Sequence, residues 1–541
     1  MAMHVPKAPG LMSMLKDGAR YFEGLEEAVF RNIEACLALS KTTRTTLGPA
    51  GQNKIVINHI GKQFITNDAA TILKELEVAH PAAKLLVMAS QQQEQEAGDG
   101  TNIVFQLAGS LLEQARDLLR MGLSVAQVTE GYELGREKAM EILDDLVVES
   151  VSDLRNHDSV RRVIKTSIMS KQVELADFLS DLITKACISI LPQKSHFNVD
   201  NVRVLKVLGA GVSSSKIVRG MVFRRETEGE VKEAKDCKIA IFSCPIDTLQ
   251  TETKGTVLLT TADELTQFSK GEENLMEKHM RAIADAGVRV VVSGGKVGEL
   301  ALHYANKLGL MVVRLSSKFD IRRLCQATGA VALPRLTTPS PEELGHVAHV
   351  RTDEVADASV VIFEQGSVVT ILVRGSTENI MDDVERAIDD GVNTFKCLTR
   401  SPKLVAGAGA TEIELARRLL AYADTLTGLE QYSVREFARA FEVVVRALAE
   451  NAGEKATEII AMLYAKHLSG QVHTGLITKP GGEVEVNDAV KFEILDIHMV
   501  KRWAIRFATD AACTVLRVDQ IIMARPAGGP KPRQPGAPDE D

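Results

Sequence analysis

Aromatic residues are scarce in this sequence: they form 4% of its 541 positions and include a single Trp. Proteins that bind single-stranded nucleic acid stack bases on aromatic side chains, so this chain has little with which to build such a platform. It also lacks an excess of positive charge, since its formal net charge is −8, whereas a protein that binds the phosphate backbone needs a basic surface. We therefore expect no nucleic-acid partner.

Cysteines and long apolar runs are also few. The seven cysteines are scattered, and no two are spaced as Cys-x-x-Cys, which argues against a disulfide framework or a zinc site. Reduced thiols are typical of the cytosol. No window reaches the ~18 uninterrupted apolar residues of a membrane span, and the N-terminus has no apolar run of signal-peptide length. The sequence thus favours a cytoplasmic protein with no membrane partner.

The chain does have material for several hydrophobic cores, since 45% of its residues are hydrophobic and 25% are charged. Its length suggests three or four domains of about 150 residues each. Helical periodicity dominates residues 1–150, interrupted by a predicted hairpin around Gly61, and returns over 405–525. Between them, over 221–371, short apolar runs alternate with helical stretches, the last run being 368–373. This alternation is typical of an α/β domain with a mostly buried sheet, and the order of the regions predicts a domain inserted into another whose two ends share a core.

Short segments rich in Gly and Asp lie far apart in the chain. They are TLGPAG (46–51), TNDAATIL (66–73), GDGTN (98–102), TSIMSK (166–171), AIDDG (387–391), AGAGATE (406–412) and EILD (493–496). None alone identifies a nucleotide site. The segment at 46–51 lacks the Gly-Lys-Ser/Thr of a Walker A loop, and the segment at 406–412 departs from GxGxxG. Glycine-rich turns that lead into helices nevertheless expose backbone N–H groups to phosphates. Carboxylates beside such turns can hold Mg²⁺ and position a water molecule, so nucleotide chemistry is a hypothesis from these residues.

The same residues also have purely structural interpretations. Asp68 suits the N-cap of a helix that begins at Ala69. Asp99 with Gly100 forms a common turn dipeptide, and the pair at 390–391 would form a turn or interrupt a helix. A lone Lys171 would be a solvated surface lysine. The residue types leave both interpretations open at each position.

Taken in order, the segments resemble the group II chaperonins. Further stretches extend the similarity over essentially the whole chain: NDAATILKELEVAHPAAK (67–84), HFNVDN (196–201) and VLRVDQIIMARPAGGPKP (515–532). The resemblance implies a chaperonin fold with three parts: a mostly helical equatorial ATPase domain formed by both chain ends, a small α/β intermediate domain that acts as a hinge, and an α/β apical domain with a helical protrusion. On that plan the divisions are equatorial 1–150 and 405–525, intermediate 151–220 and 372–404, and apical 221–371. The tail at 526–541 is rich in Pro and Gly and ends in acidic residues, so we expect it to be disordered.

The resemblance also implies an ATP/ADP site with Mg²⁺. Asp99 matches the Mg²⁺ ligand, and Asp68 and Asp390 match the two carboxylates that align the attacking water. The positions that match nucleotide contacts are Leu47, Gly48, Gly100, Thr101, Asn102 and Ile103 along the phosphates, Met169, Ser170 and Lys171 near the γ-phosphate, and Gly407, Ala408, Gly409, Asp496 and the weaker candidate Lys501 on the base and ribose side. Because Asp390 falls in the hinge segment, hydrolysis would require the hinge to close over the nucleotide.

Four positions depart from the usual pattern of the family. Ala50 replaces a lysine in the phosphate loop, and Ala408 replaces the middle one of three glycines. Asn102 replaces a threonine and Ala69 replaces a glycine. No carboxylate of the site is lost, and Lys171 is retained, so these changes affect affinity and rate more than competence.

In the apical segment, the resemblance implies that the charged stretch 247–275 forms a built-in lid protrusion. It also implies that the helix at 299–309 faces substrate protein, with His303, Tyr304 and Lys307 as candidate contacts. Alternatively, the apolar residues of that helix pack on the sheet and its polar residues face water. Tyr and His suit either interpretation, because each has an apolar body and a polar tip.

Three functions follow as alternatives. The leading one is an ATP-driven protein-folding subunit in a hetero-oligomeric double ring, with paralogous subunits and unfolded client proteins as partners. The second is a structural subunit of the same ring that holds nucleotide and turns over little. The third is an unrelated helical metabolic kinase with an α/β insert, which would act as a monomer on a small molecule.

Overall fold

The computed structural model describes residues 20–22, 25–192, 197–247, 261–356, 358–366, 368–479 and 483–523. The chain divides into two compact units: unit 1 comprises Met1–Glu149 with Lys403–Asp541, and unit 2 comprises Ser150–Pro402.

The described helices are α1 (Leu25–Arg44), α2 (Ala69–Glu75), α3 (Pro81–Glu96), α4 (Thr101–Arg120), α5 (Val125–Asp145), α6 (His157–Met169), α7 (Ala176–Ser189), α8 (Ala262–Asp285), α9 (Glu299–Lys307), α10 (Lys318–Thr328), α11 (Glu378–Arg400), α12 (Ala410–Ala423), α13 (Glu430–Ala440), α14 (Glu442–Asn451), α15 (Ala456–Leu468) and α16 (His498–Leu516).

The described strands are β1 (Arg20–Phe22), β2 (Lys54–Ile57), β3 (Gln63–Thr66), β4 (Val147–Ser150), β5 (Val202–Leu208), β6 (Lys216–Arg219), β7 (Met221–Phe223), β8 (Glu233–Phe242), β9 (Val288–Ser293), β10 (Met311–Arg314), β11 (Ala332–Leu333), β12 (Gly345–Val355), β13 (Ala358–Glu364), β14 (Val369–Gly375), β15 (Lys403–Ala406), β16 (Thr474–Thr478), β17 (Val484–Asp488), β18 (Leu495–Ile497) and β19 (Ile521–Met523).

Unit 1 is mostly helical, and both ends of the chain build its core. In α4, buried apolar residues recur at the three- and four-residue spacing of one helix face, as at Val104, Leu107 and Leu111. Helix α4 packs against α1 and α3 from the first part of the chain and against α13 and α16 from the last part. Phe105 and Phe437 are fully buried in the same cluster. The two terminal segments therefore depend on each other for the burial of their apolar faces.

Small antiparallel sheets complete unit 1. Strands β2 and β3 pair around Gly61 with Val56 opposite Phe64, which confirms the predicted hairpin. Strand β1 pairs with β19, and β16 pairs with β17. Strand β15 pairs with β18 so that Val405 lies opposite Asp496. These pairings place the segments before α12 and α16 side by side.

The larger sheet of unit 2 is mixed. Its strand order is β10-β9-β8-β12-β13-β7, with β11 also paired to β8. Strands β8, β9 and β10 are parallel, whereas β12, β13 and β7 are antiparallel to their neighbours. Helices α8 and α9 bury Met280 and Ala305 on one face, and α10 buries Leu324 on the other. This arrangement agrees with the predicted α/β character of the region.

A second sheet in unit 2 corrects one expectation. The run 368–373 is predicted to belong to the α/β sheet, but β14 instead pairs with β5 in parallel and with β6 in antiparallel orientation. Helix α11 packs on this three-stranded sheet and against α6 and α7. The prediction was wrong because a buried apolar run shows that a strand is buried without showing which strands are its partners.

The fold class is confirmed: the described chain combines a helical unit built from both ends with a second unit of helices and mixed sheets. Of the proposed protrusion at 247–275, residues 248–260 lie outside the described residues, and α8 begins at Ala262. The tail at 526–541 also lies outside them. All seven cysteines are free thiols. Among the described residues, no helix is long and apolar enough to cross a membrane.

Candidate functional site

The loop that follows α1 is held against α14. The side-chain amide of Asn451 donates to the backbone oxygens of Arg44 (3.1 Å) and Leu47 (2.8 Å). Gly48 has a φ of +82°, and a Cβ at this position would lie 2.3 Å from Cδ2 of Leu448. Only glycine meets both conditions without strain, so the loop carrying Leu47 and Gly48 is fixed in a tight turn.

The Asp99-Gly100 turn precedes α4. The Asp99 carboxylate accepts from the backbone N–H of Gly100 at 2.6 Å. Gly100 is the N-cap of α4 with a φ of +78°, and no described side chain caps the helix. The fully buried Gln93 fixes the turn, because its amide nitrogen donates to the backbone oxygens of Asp99 (2.9 Å) and Val500 (3.2 Å). The first N–H groups of α4, including that of Thr101, therefore suit an anion.

Asn102 is tied to the end of α1. Its amide nitrogen donates to the backbone oxygen of Thr43 (3.3 Å) and to the hydroxyl of Thr46 (3.1 Å). Ile103, the next residue, packs against the core of unit 1. The side chain of Asn102 thus connects the first turn of α4 to the end of α1. Asn102 can contact a phosphate through its backbone N–H.

Asp68 is the N-cap of α2. Its Oδ2 accepts from the backbone N–H of Thr71 at 3.0 Å and from the hydroxyl of Thr71 at 2.7 Å, and its own N–H donates to the hydroxyl of Thr66 at 3.0 Å. The predicted capping role is confirmed, and so is the start of the helix at Ala69. The cap holds the carboxylate in a defined orientation, which a water-aligning group also needs.

The Gly407-Ala408-Gly409 loop joins β15 to α12. The N–H of Gly407 donates to the backbone oxygen of Ile494 (2.9 Å), and the oxygen of Ala408 accepts from the N–H of Leu476 (2.9 Å). Ala408 has a φ of +56°, a left-handed conformation that costs a residue with a Cβ roughly 1–2 kcal/mol. Gly409 is the N-cap of α12 with a φ of +78°. The loop is therefore a rigid left-handed turn at a helix N-terminus.

Lys501 is buried and faces carboxylates. Its side chain is 6% exposed, its ammonium lies 2.8 Å from Oδ2 of Asp496, and it also contacts Oε1 of Glu412. Burial disfavours the charged form, but the carboxylates of Asp496 and Glu412 outweigh it and hold the pKa of Lys501 well above its usual value. Lys501 therefore orients Asp496, and its ammonium is engaged by these two side chains.

The side chain of Leu448 lies against two of the glycine loops of unit 1, those that contain Gly48 and Gly409. A Cβ on Gly48 would lie 2.3 Å from Leu448, and a Cβ on Gly409 would lie 3.9 Å from the same side chain. A Cβ on Gly100 would lie 3.0 Å from Cγ1 of Val500, the residue before Lys501. The structure thus brings the predicted loops from both chain ends together.

In unit 2, Lys171 and Asp390 form an ion pair, with 13% and 15% of their side chains exposed. Helix α6 ends at Met169, and the hydroxyl of Ser170 donates to the backbone oxygen of Ser167 (2.6 Å). The turn after α6 therefore presents Lys171 to α11. The alternative in which Lys171 is a solvated surface lysine is wrong.

Asp390 lies in the middle of α11, so the expectation of a turn or helix interruption at 390–391 is also wrong. Gly391 is buried in the helix, and a Cβ there would lie 2.9 Å from Ile183 and 3.3 Å from Ile164. Glycine is therefore needed for the close packing of α11 on α6 and α7. This packing fixes the side of the helix on which Asp390 lies.

The candidate contacts on α9 differ in exposure. Tyr304 is buried, and its hydroxyl donates to Glu273 at 3.2 Å. His303 and Lys307 are exposed, and the ammonium of Lys307 lies 5.6 Å from the centre of the Tyr304 ring. The packing interpretation fits Tyr304, whereas His303 and Lys307 remain candidates for contact with another protein.

Several residues that shape these loops carry no recognisable motif. Gln93 lies in the polar run QQQEQE, which predicts only a solvated helix face, and Leu448 lies among ordinary apolar helix residues. Asn451 alone has a local signal, because Gly453, two positions later, is typical of the residue just past a helix end. Such supporting residues are identified by contacts across the chain, and a single sequence does not contain that information.

Comparison with known proteins agrees with this architecture. Residues 39–526 match the sequence profile of the TCP-1/cpn60 chaperonin family. The proteins named T-complex protein 1 subunit theta from Gallus gallus and Homo sapiens are each 60% identical to this chain, over 536 and 537 residues, and each alignment covers 98% of both chains. The protein of the same name from Caenorhabditis elegans is 51% identical over 548 residues, which span 100% of this chain and 99% of that protein.

Proposed function

This chain belongs to the TCP-1/cpn60 chaperonin family, and we propose that it hydrolyses ATP itself to drive protein folding. Its role as a chaperonin subunit follows from the family and from close relatives named as subunits of T-complex protein 1. The observation that carries the ATPase assignment is the ion pair between Lys171 and Asp390. Charged side chains that are largely buried against a specific charged partner are enriched at functional sites.

The backbone of unit 1 supports the binding of phosphates. Helix α4 begins at Gly100, a glycine with positive φ, without a described side-chain cap. Uncapped helix N-termini carry N–H donors and a partial positive charge, which favour anions. Gly48 adds a second tight turn, next to Leu448. We assign the triphosphate to the loops at 47–48 and 100–103, and the base and ribose to the loop at 407–409 with Asp496.

The donor set also fits Mg²⁺. The described residues contain no cluster of three or more His, Cys, Asp or Glu side chains that could hold a metal by themselves. Protein Mg²⁺ sites commonly use one or two carboxylates and take their other ligands from phosphates and water. We assign the carboxylate of Asp99 to this role, since the Gly100 N–H holds it at the phosphate loop. When bound, the ion would neutralise charge on the phosphates.

Asp68 and Asp390 would align the attacking water. Each carboxylate is held by other groups: Asp68 by the backbone and hydroxyl of Thr71, and Asp390 by Lys171. A carboxylate in a fixed orientation can accept a proton of water and direct its lone pair at the γ-phosphorus. Lys171 would donate to the γ-phosphate and restrain Asp390.

The test is hydrolysis in a variant that lacks one carboxylate. Asp390→Ala is expected to bind ATP normally and to lose about 10²–10⁴ in single-turnover rate, measured in assembled rings whose other subunits are disabled. Asp382→Ala is the matched control, because Asp382 lies on the same helix and pairs with Lys206. Unchanged single-turnover hydrolysis in Asp390→Ala would refute the assignment.

Two observations favour the second candidate, a subunit that holds nucleotide and turns over little. Ala408 adopts a left-handed conformation where a glycine would be unstrained, and the side chain of Asn102 is committed to α1. Both features make the site stiffer and would slow the exchange of nucleotide. Comparison of steady-state turnover with the single-turnover rate separates the candidates. If nucleotide exchange limits the cycle, the wild-type chain hydrolyses its bound ATP once and then turns over slowly.

The family relationship also supports the choice of partners. The relatives are named as subunits of a complex, so we propose that this chain assembles with paralogous subunits in a hetero-oligomeric double ring in the cytoplasm. Unfolded client proteins would bind the region that contains α9, where His303 and Lys307 are exposed.

A further inference from the structure

A buried carboxylate lies just behind the Gly407–Gly409 loop. Glu414 is on α12, and its side chain is 0% exposed. Its oxygens accept from Arg417 Nη2 (2.6 Å), Arg418 Nε (2.6 Å) and His467 Nδ1 (2.9 Å). Burial alone would raise the pKa of Glu414, but these donors outweigh it and hold the pKa well below its usual value. Glu414 is therefore a charged anchor inside unit 1.

His467 connects this anchor to β16. Its side chain is fully buried, with Nδ1 at 2.9 Å from Glu414 and Nε2 at 2.9 Å from the backbone oxygen of Thr474. A carboxylate and a carbonyl can only accept, so each ring nitrogen donates a hydrogen bond. The imidazole thus joins α12 to the first residue of β16.

Strand β16 in turn contacts the loop. The N–H of Leu476 donates to the backbone oxygen of Ala408 at 2.9 Å. Gly475 lies so close that a Cβ there would be 2.7 Å from the oxygen of Ala408 and 2.9 Å from its Cβ. Ala408 has a φ of +56°, a conformation that persists only where the surroundings impose it. The hydrogen bond from Leu476 and the close approach of Gly475 make β16 one of the elements that touch Ala408 directly.

We propose that His467 is a positioning residue for nucleotide binding. By fixing Thr474, it seats β16 against Ala408 and keeps the Gly407–Gly409 loop in its left-handed conformation. This role rests on the proposed function, because the loop matters to turnover only if it contacts nucleotide.

A neighbouring residue provides a matched control. Tyr464 is on the same helix as His467, and its hydroxyl donates to Glu442 on α14 at 2.9 Å. Tyr464→Phe removes a hydrogen bond between α15 and α14. His467→Gln instead breaks the connection between Glu414 and β16. Glutamine can donate to one of the two acceptors and cannot reproduce the rigid link across the imidazole.

The experiment measures ADP binding and single-subunit ATP hydrolysis in assembled rings whose other subunits are disabled. His467→Gln is expected to raise the ADP dissociation constant and the KM for ATP by about tenfold. The kcat should stay within about threefold of wild type, because the carboxylates and Lys171 are intact. Tyr464→Phe should leave the dissociation constant and KM unchanged. Ala408→Gly added to His467→Gln should recover most of the lost affinity, since glycine adopts the left-handed conformation without support.

The outcomes separate the two proposals. If folded His467→Gln binds ADP as wild type does, or if Tyr464→Phe weakens binding equally, the positioning role is overturned while wild-type turnover still supports the ATPase. A wild-type chain that binds no nucleotide would overturn both. If His467→Gln does not assemble, the isosteric Glu414→Gln, which weakens the same link, replaces it with the same expected shifts.

Discussion

Helices α4 and α12 begin differently from α5, α6 and α11. The first two start after Gly100 and Gly409, each with a φ of +78°, and no described side chain caps either helix. The other three start after Ser124, Asn156 and Thr377, whose side chains accept backbone N–H groups of the first turn. A side-chain cap satisfies donors that a helix end otherwise leaves unpaired.

The two kinds of helix N-terminus contribute differently to the stability of the fold and to ligand binding. A capped helix uses its first N–H groups internally, so its N-terminus contributes to folding. An uncapped helix that starts at a left-handed glycine leaves donors of its first turn without a side-chain partner, so these donors can bind a ligand, and it gives up the stability that a cap would add. We therefore expect substitutions at the two kinds of N-terminus to have different effects.

The largest effect is expected for Gly409→Ala. A Cβ at this position would lie 2.4 Å from Cγ2 of Val445, which is fully buried, and the φ of +78° disfavours any residue with a Cβ. We expect a loss of about 3 kcal/mol in unfolding free energy together with loss of nucleotide binding, measured by denaturant unfolding and ADP titration.

Gly453→Ala is the control for this substitution. Gly453 has a φ of +82°, but nothing lies within 4 Å of the added Cβ, so the change should cost only the backbone strain of about 1 kcal/mol and leave ADP binding intact. Equal effects of the two substitutions on ADP affinity would break the distinction between site glycines and ordinary turn glycines.

A smaller effect is expected at a capped helix. Ser124 and Gln127 form a reciprocal capping box at the start of α5. Ser124→Ala should lower the unfolding free energy by about 1 kcal/mol, and the ADP dissociation constant should not change. Ser124→Asp, which can still cap, should restore most of the stability. A weaker ADP affinity in Ser124→Ala would contradict the separation of the two kinds of N-terminus.

Local signals in the sequence predicted a large part of the fold. The hairpin around Gly61 and the start of α2 after Asp68 depend on residues within a few positions of each other, so the sequence contains the relevant information. The parallel partner of β14 lies more than 150 residues earlier in the chain, and nothing in the run 368–373 identifies it. Gly391 likewise looks like a turn residue until the packing of Ile164 and Ile183 against it is known.

The residues of the candidate site also fall into a group that the sequence predicts and a group that it does not. The residues proposed to touch nucleotide lie in recognisable segments, and the structure brings the loops of unit 1 together. The residues that hold those loops in place, such as Gln93, Leu448 and His467, come from helices with no motif. A motif contains the residue types that the chemistry of a site requires. The residues that support a loop can come from any helix that packs against it, so they need not follow a motif.

The smallest effect is expected for Ala408→Gly in the otherwise wild-type chain. The substitution removes the strain of a left-handed alanine but adds the larger backbone entropy of glycine in the unfolded chain, and these two terms nearly cancel. We expect unfolding free energy to change by less than about 1 kcal/mol and ADP affinity by less than about threefold, because the contact from Leu476 already holds the loop. Calorimetric titration with ADP measures this directly. A gain in affinity of more than tenfold would mean that the loop is not held in the wild-type chain, and that the left-handed turn before α12 forms only when nucleotide binds.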